Sequence, residues 1–274
     1  MTTNKMMPKA IRAVILDFSG TTLDKFVLAP AVVFQDVFKK HGVKVSMEAC
    51  RKPMGLRKDL HINAMLELPE VINEWQEAHG ETPIASIQGR ALFKDFIPMQ
   101  LEVLDDYSEL LPGVKDTFDE LKDMEIKIGG TTGFTREMVD VLEANANKQG
   151  IYFDSFVAGN DVEMGARPSP SMLYKNMDLL GITNINEVIK VDDTVTGVGE
   201  GISANCLTVA VSKYSNYMSI DSFEHEESLS CSEMEAKHDK CKKILNASGA
   251  NWVCNDITSL PYIIRDHNAN VNRK

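Results

Sequence analysis

The sequence predicts an α/β fold with a parallel-sheet core and a helical segment inserted after the first strand. Two observations carry this prediction. Short apolar runs alternate with amphipathic stretches, which is typical of parallel strands joined by helical crossovers. Between residues 25 and 105 the pattern contains helices only. We therefore expect two domains, a core made of residues 1–24 and 106–274 and a helical domain made of residues 25–105.

The predicted elements follow one another along the chain. Strands are expected at residues 12–16, 126–129, 188–191, 206–211 and 251–254, with helices between them such as 114–124 and 136–147. In the insert, prolines separate helices expected at residues 31–41, 47–50, 60–66, 71–79 and 84–104. The charged stretch 221–243 is expected to form a solvated helix. Because ligands bind at the carboxyl ends of parallel strands, polar residues that follow a strand are candidates for function.

Composition narrows the class of protein. The chain has 274 residues, a formal net charge of −11 and 43% hydrophobic residues, which excludes wholesale disorder and disfavours nucleic acid or an anionic membrane as the main partner. No apolar run approaches the roughly 20 residues of a membrane span, and the N-terminus has no signal-peptide pattern. We expect a soluble, cytoplasmic protein.

The cysteines and histidines give no sign of a structural scaffold. Five cysteines are scattered with no C-x-x-C pair, and six histidines show no metal-ligand spacing. This distribution predicts free thiols in a reducing compartment, with neither a disulfide framework nor a transition-metal site.

Four motifs place chemically useful side chains where strands end. The first predicted strand ends in Asp17, followed by a turn rich in glycine and threonine, where an aspartate serves as a nucleophile or as a cation ligand. The second ends in Thr131, Thr132 and Gly133, whose hydroxyls suit phosphate oxygens. Arg167 precedes a proline-rich turn and suits planar oxyanions.

The fourth motif delivers two consecutive acids, Asp192 and Asp193, at the end of an apolar run. Either acid is able to complete a Mg²⁺ site with Asp17, since this cation prefers oxygen ligands. The four motifs in order give an acid, a hydroxyl, a cation and an acid pair on successive strand ends.

These motifs resemble those of the haloacid dehalogenase superfamily, and within it most closely the phosphonatases (phosphonoacetaldehyde hydrolases). The insert adds RKPMGLRKDLH at residues 51–61, which is similar to the phosphonatase cap motif. The similarity runs from about Ile11 to Ser203. The resemblance implies a Rossmann-like core with a helical cap domain, and a homodimer formed through that cap.

The resemblance also implies roles for individual residues in cleaving a phosphonate substrate to acetaldehyde and phosphate. Asp17 is expected to attack phosphorus, and Lys58 to form a Schiff base with the aldehyde. The expected Mg²⁺ ligands are Asp17, Asp193 and the backbone carbonyl of Ser19. Thr131 or Thr132, with Gly133 and Arg167, is expected to bind the phosphoryl group. Met54, Gly55 and His61 are expected to line the site. From its place three residues after Lys58, His61 either relays a proton or simply packs.

The chemistry of the leaving group supports the same substrate class. A phosphate ester leaves as an alkoxide and profits from a general acid, yet the position two residues after Asp17 holds Ser19, a poor acid. A phosphonate leaves as a carbanion, for which an iminium on Lys58 is an electron sink. Lys58 must lose its proton first, and we expect burial, together with Arg57 if it turns inward, to lower its pKa.

Two alternatives remain at this stage, a phosphomonoester phosphatase of the same superfamily and a non-catalytic binding protein that keeps the fold. Three positions depart from the phosphonatase pattern, the first being Val27, which stands where some members have a cysteine. Phe134 stands where a tyrosine is frequent, and Gly197 stands where a further acid is frequent. We expect Asp192 to compensate in part for the missing acid.

Overall fold

The computed structural model describes residues 9–163, 165–271 and 273, which contain one sheet of six parallel strands. The strands lie in the order β3-β2-β1-β4-β5-β6, the order of a doubly wound Rossmann-like sheet. They are β1 (Ala13–Asp17), β2 (Lys127–Thr131), β3 (Ser155–Val157), β4 (Val188–Asp192), β5 (Leu207–Val211) and β6 (Trp252–Cys254). The predicted α/β fold is confirmed. Strand β3 was not among the predicted strands.

Five helices make up the insert between residues 25 and 105, as the sequence predicts. They are α1 (Leu28–Lys40), α2 (Met47–Arg51), α3 (Lys58–Leu66), α4 (Pro69–His79) and α5 (Ala85–Val103). The later helices are α6 (Val114–Asp123), α7 (Arg136–Lys148), α8 (Ser171–Leu180), α9 (Val195–Ala204), α10 (Phe223–Ser228), α11 (Cys231–Asn246) and α12 (Leu260–Val271). None of these described helices combines the length and the apolar character needed to cross a membrane.

Strand β1 is buried on both faces, which fixes the position of the residues that follow it. Val14 and Leu16 pack into the apolar cluster that includes Phe118 of α6, whereas Ile15 faces Leu173 of α8. Alternate residues of a strand point to opposite faces, so β1 lies between two helical layers. Its carboxyl end therefore opens at the centre of the sheet edge.

The five helices of the insert share an apolar cluster that continues into the core. Phe34 and Phe96 stack with their ring centroids 4.6 Å apart, and α5 packs against both α1 and α3. The same cluster includes Phe18, just after β1, and Phe134, just after β2. The helices therefore rest on the loops that follow these two strands, and the division at residues 25 and 105 stays a prediction.

The charged stretch at residues 221–243 forms two helices where one was expected. Ser222 accepts a hydrogen bond from the amide of His225 and caps α10, while Ser230 and Glu233 form a capping box at the start of α11. Each serine offers the backbone a new helix start, because its side chain satisfies amides that the helix leaves unpaired.

Candidate active site

The sheet brings the predicted strand-end residues side by side. Asp17 is the last residue of β1 and pairs with Thr131, the last residue of β2. On the other side, Leu16 pairs with Val191, which places Asp192 next to Asp17 at the same edge. Sequence motifs more than 100 residues apart therefore meet because the strands are parallel and in register.

These strand ends form the floor of a small cavity of about 20 Å³ under the helical insert. Nine of the predicted site residues line it: Asp17, Ser19, Met54, Gly55, Lys58, Thr132, Gly133, Arg167 and Asp193. Val27, Phe134 and Thr194 line it as well. Thr131 and His61 lie behind the wall. The structure therefore separates the two neighbouring threonines, since only Thr132 faces the cavity.

Arg167 connects the candidate nucleophile to the charges beneath it. Its Nη2 lies 2.7 Å from Oδ1 of Asp17, and its Nε lies 3.1 Å from Oε2 of Glu200. The guanidinium is 2% exposed and also donates to the hydroxyl and carbonyl oxygen of Thr131. Burial raises the pKa of Asp17 to about 6, against the opposing effect of Arg167. The guanidinium thus holds Asp17 in one orientation and favours its charged form.

A second buried cation, Lys190, completes a paired network under the strand ends. Its Nζ lies 3.0 Å from Oδ2 of Asp192 and 3.3 Å from Oε2 of Glu200, and it donates to the hydroxyl of Thr131 at 2.7 Å. Burial by itself raises the pKa of Asp192, but Arg167 and Lys190 hold it below its ordinary value. Asp192 and Thr131 are therefore committed to the network and not to the cavity.

Asp193 faces the cavity with half of its carboxylate unpaired. Its Oδ2 accepts from the amide of Asn216 at 2.8 Å, while Oδ1 is buried without a hydrogen-bond partner among the described residues. Burial, with Asp192 and Asp17 nearby, raises the pKa of Asp193 well above its ordinary value. An unpaired buried oxygen of this kind needs a proton or a cation.

The acids at this edge fit a divalent cation. Oxygen atoms of Asp17, Asp192 and Asp193 all lie within 4.8 Å of one another. Among the described residues, Arg167 and Lys190 pair with three buried carboxylates, Asp17, Asp192 and Glu200, while Asp193 pairs with neither and Lys58 faces the same cavity. An excess of negative charge with a free oxygen matches a hard cation such as Mg²⁺, which takes oxygen ligands.

Lys58 reaches the same cavity from the first residue of α3. It is 5% exposed, and within the described part of the chain its ammonium has no hydrogen bond or ion pair. The nearest aromatic ring to its Nζ is that of Phe134, with the centroid 4.4 Å away. Burial lowers the pKa of Lys58 to about 8, although Asp17 and Asp24 act in the opposite direction. Part of its population is therefore a neutral amine near neutral pH.

The neighbouring cation Arg57 does not contribute as expected. Its side chain turns away and forms a two-point ion pair with Asp59, with Nε 2.7 Å from Oδ1. Local pairing over two residues satisfies the guanidinium outside the cavity. Arg57 does not turn inward, so the condition for its contribution is not met, and burial is the main cause of the lowered pKa of Lys58.

His61 lies behind Lys58 and is neutral. Its ring stacks on Phe34 at 3.9 Å, and its Nε2 lies 2.8 Å from the carbonyl oxygen of Cys50. A carbonyl only accepts, so Nε2 carries the proton and Nδ1 does not. Burial and the charge of Lys58 hold the pKa of His61 well below its ordinary value. Proton relay by His61 stays a prediction, and any such relay must use Nδ1, which has no partner among the described residues.

Gly133 lets the loop after β2 approach the insert. A side chain at this position would overlap the carbonyl oxygen of Leu56, and the carbonyl of Gly133 accepts from the amide of Lys58 at 3.2 Å. Only a residue without a Cβ allows this contact. The backbone of Gly133 therefore positions the start of α3 over the strand ends.

Gly197 leaves room for Asp192. A Cβ at position 197 would overlap the carboxylate of Asp192, which also accepts from the hydroxyl of Thr194 at 2.7 Å. The acid carried by residue 192 thus fills the space beside Gly197. This packing supports the expectation that Asp192 compensates for the acid that position 197 lacks.

Sequence reasoning missed Thr194, Lys190 and Glu200. Thr194 caps α9 by accepting from the amide of Gly197, a role that a threonine before a helix predicts. Lys190 is a charged residue within the otherwise apolar start of strand β4, and this pattern in the sequence could have predicted a buried charge. Glu200 gives no such signal in the sequence, because its partners, on β2, on β4 and at Arg167, are far from it along the chain.

Comparison with known proteins places this arrangement in a family. A family model described as haloacid dehalogenase-like hydrolase matches residues 14–211. The phosphonoacetaldehyde hydrolase of Bacillus cereus is 36% identical over 254 residues, which cover 93% of this chain and 95% of the relative. The chain belongs to the haloacid dehalogenase-like hydrolases. The predictions that the chain belongs to this family and that it is an enzyme are confirmed.

Other similar proteins differ in sequence identity to this hydrolase and in the share of their length that it covers. The bifunctional phosphonoacetaldehyde hydrolase/aminoethylphosphonate transaminase of Clostridioides difficile is 37% identical over 95% of the hydrolase, which spans only 40% of that relative. A phosphonoacetaldehyde hydrolase-like protein from Oleispira antarctica superposes with a TM-score of 0.92 at 34% identity, covering 100% of the hydrolase and 98% of that chain. A putative β-phosphoglucomutase from Bacteroides vulgatus, 17% identical with a TM-score of 0.65, shares the fold.

Proposed function

We propose that this hydrolase cleaves the carbon–phosphorus bond of phosphonoacetaldehyde and releases acetaldehyde and phosphate. The observation that carries the proposal is the meeting of Lys58 and Asp17 in one small cavity. Lys58 is a buried amine with a lowered pKa, and Asp17 is a buried carboxylate held by Arg167. An amine suits the aldehyde end of this substrate and a carboxylate its phosphorus. The names of the relatives support the same substrate.

The first step assigned to Lys58 is covalent. The neutral amine attacks the aldehyde carbon, the resulting carbinolamine takes up a proton from solvent, and loss of water leaves a protonated iminium. The pKa of about 8 gives a usable fraction of neutral amine near neutral pH, whereas an exposed lysine at about 10.4 would give very little. The iminium prepares the substrate for loss of its phosphoryl group.

The second step joins the two residues. A carboxylate oxygen of Asp17 attacks phosphorus, the carbon–phosphorus bond breaks, and its electron pair forms the carbon–carbon double bond of an enamine on Lys58. Arg167 and Thr132 are assigned to the phosphoryl oxygens, because both line the cavity and both donate hydrogen bonds. Protonation of the enamine carbon and attack of water on the resulting iminium release acetaldehyde and regenerate Lys58. A second water hydrolyses the aspartyl-phosphate.

The metal ligands are part of the proposal. Asp17, Asp193 and the backbone carbonyl of Ser19 would hold Mg²⁺, which when bound supplies positive charge to the phosphoryl oxygens. Asp192 stays in the paired network and helps to position Arg167, because its Oδ2 lies 3.2 Å from Nη1 of the arginine. This division of roles follows from which acid has a free oxygen in the cavity.

The small volume of the cavity bears on how substrate is admitted. About 20 Å³ is little more than the space of one water molecule, so we propose that the helical insert opens and then closes over the substrate. The backbone contact between Gly133 and Lys58 would break and re-form. Hydrogen exchange at the amide of Lys58 should slow when an unreactive alkylphosphonate binds. Unchanged exchange at saturating ligand would refute the opening.

Trapping of the iminium tests the proposed function. The protein is mixed with phosphonoacetaldehyde and borohydride, and peptides are analysed by mass spectrometry, with acetaldehyde release followed in parallel. A reduced adduct on Lys58 and Mg²⁺-dependent acetaldehyde release are expected. The Lys58→Arg variant should give neither, because its charged group forms no imine. The matched control is Lys52→Arg, which changes an exposed lysine paired with Glu70 in the same motif.

The opposite outcome favours the phosphatase alternative. If the protein forms no adduct, releases no acetaldehyde and hydrolyses phosphate monoesters equally well with and without Lys58, the lysine has no covalent role.

A homodimer formed through the insert and a cytoplasmic location are also kept as predictions. Light scattering of the purified protein, compared with variants of exposed insert residues such as Ile87, tests the dimer.

A further inference from the structure

An aromatic ring faces the charge of Lys58. Nζ lies 4.4 Å from the ring centroid of Phe134 and 5.8 Å from that of Phe34. No carboxylate of the described residues lies within 4 Å of Nζ. We propose that the ring face of Phe134 is the electrostatic counterpart of the positive charge at Lys58 and, if the proposed function holds, of the iminium that forms there.

The ring is held rigidly in this position. Phe134 is 1% exposed, its amide lies 3.3 Å from the hydroxyl of Thr132, and its carbonyl accepts from the amide of Gly159 at 2.8 Å. It follows β2, whereas Lys58 begins α3 of the insert. The contact therefore joins the sheet to the insert and exists only when the two are closed together.

The physical basis is the charge distribution of an aromatic ring. The face of the ring is negative, and a desolvated cation over it gains more than one in water. An ammonium and a protonated iminium carry the same charge at the same nitrogen, so one ring serves both. A carboxylate in this place would bind the ammonium more strongly and keep it from losing its proton. The ring thus stabilises the charge without blocking formation of the neutral amine.

Other charged groups also act on Lys58, and none of the described carboxylates lies within 4 Å of its Nζ. Asp17, Asp24 and Asp193 favour its charged form, whereas Arg167 opposes it. His61 is neutral and contributes no charge. These groups lie on β1, on the loops after β1 and β4, on the Arg167 loop and on α3. None is altered by a change to the Phe134 ring, so such a change isolates the ring's contribution.

Fluorinated phenylalanines at position 134 test the proposal. Each added fluorine weakens the negative ring face while the shape of the side chain changes little. The pKa of Lys58 is measured by competitive labelling with acetic anhydride across a pH series, read by mass spectrometry. We expect the pKa to fall with each fluorine, by about tenfold in proton affinity for a fully fluorinated ring. A ring that only fills space would give the same pKa throughout the series.

Two substitutions extend the test. Phe134→Leu should lower the pKa of Lys58 by a similar amount, and Phe134→Tyr should keep it near the starting value because the ring remains. The matched control is Phe118→Leu, which removes an equally buried ring packed on Phe153 and away from Lys58. It should lower thermal stability without moving the pKa of Lys58. The fluorinated series decides the question if Phe134→Leu does not fold.

A parallel measurement keeps this inference separate from the proposed function. The same proteins are treated with acetaldehyde and borohydride, and the adduct on Lys58 is quantified. A constant pKa across the fluorinated series, with an adduct present, overturns the role of the ring and leaves the function standing. A graded pKa without any adduct supports the ring–charge pair and overturns the Schiff-base route.

Discussion

Two lysines lie on opposite sides of the strand ends, equally buried but differently paired. Lys190 is inaccessible to solvent and contacts Asp192, Glu200 and the hydroxyl of Thr131. Lys58 is 5% exposed and, among the described residues, has neither a carboxylate within 4 Å nor a hydrogen bond. Burial alone therefore does not distinguish a structural charge from a reactive one. Removing one member of a buried, paired set of charges leaves the others unpaired and destabilises the fold, whereas a buried charge without partners is available for chemistry.

The largest expected effect comes from removing the unpaired lysine. Lys58→Met keeps the length of the side chain and removes the amine, so carbon–phosphorus cleavage should fall by more than about 1,000-fold. Thermal stability should stay level or rise, because the variant no longer buries an unpaired ammonium. Acetaldehyde release and calorimetry give the two quantities.

The paired lysine provides the contrast. Lys190→Met leaves Asp192 and Glu200 with fewer partners, and breaking such a buried pair costs about 3–5 kcal/mol of unfolding free energy. Denaturant unfolding measures this loss. If the two variants lose stability to the same extent, pairing is not what separates the two lysines.

The next effect concerns the unpaired oxygen of Asp193. Asp193→Asn should weaken Mg²⁺ binding by at least about 100-fold, since outer-shell changes alone cost 10–100-fold. Mg²⁺ should raise the melting temperature of the original protein and not that of the variant. Without Mg²⁺ the variant should be at least as stable, because asparagine removes repulsion from Asp17 and Asp192. Equal Mg²⁺ shifts in both proteins would place the cation elsewhere.

The two adjacent threonines show the same difference between a group that faces the cavity and a group in the paired network, with a smaller expected effect. Thr132→Val removes a hydroxyl that lines the cavity, and we expect KM for the substrate to rise by about 10–100-fold. Thr131→Val removes the acceptor of Arg167 and Lys190, and should cost about 1–3 kcal/mol of stability instead. The reverse pattern would show that Thr131 contacts substrate.

The smallest expected effect is a pH dependence of iminium trapping. Since the pKa of Lys58 is about 8, the neutral amine increases by about tenfold between pH 7 and pH 9 and then levels off. The initial rate of borohydride trapping with acetaldehyde should follow this curve. The free energy of unfolding changes in the same direction. The pKa of Lys58 is about 8 in the folded protein and 10.5 in the unfolded chain, so the unfolded chain binds more protons between these values and stability rises as the pH increases from 8 to 10.5. A midpoint near 10.5 would show an exposed lysine.

The sequence alone determined the α/β fold, the helical insert, the family and most of the cavity-lining residues. These inferences succeed because periodicity and strand-end residues are local, and parallel strands necessarily bring their carboxyl ends together. The cap-like motif around Lys58 also lies within eleven consecutive residues.

The tertiary structure decided which buried groups are paired. It placed Thr132 in the cavity and Thr131 beneath it, turned Arg57 out towards Asp59, and put Asp192 in the network with Lys190. It also brought the Phe134 ring to Lys58 across 76 residues of sequence. The physical reason is that pairing depends on distances of a few ångströms between groups far apart in the chain, which no local pattern encodes.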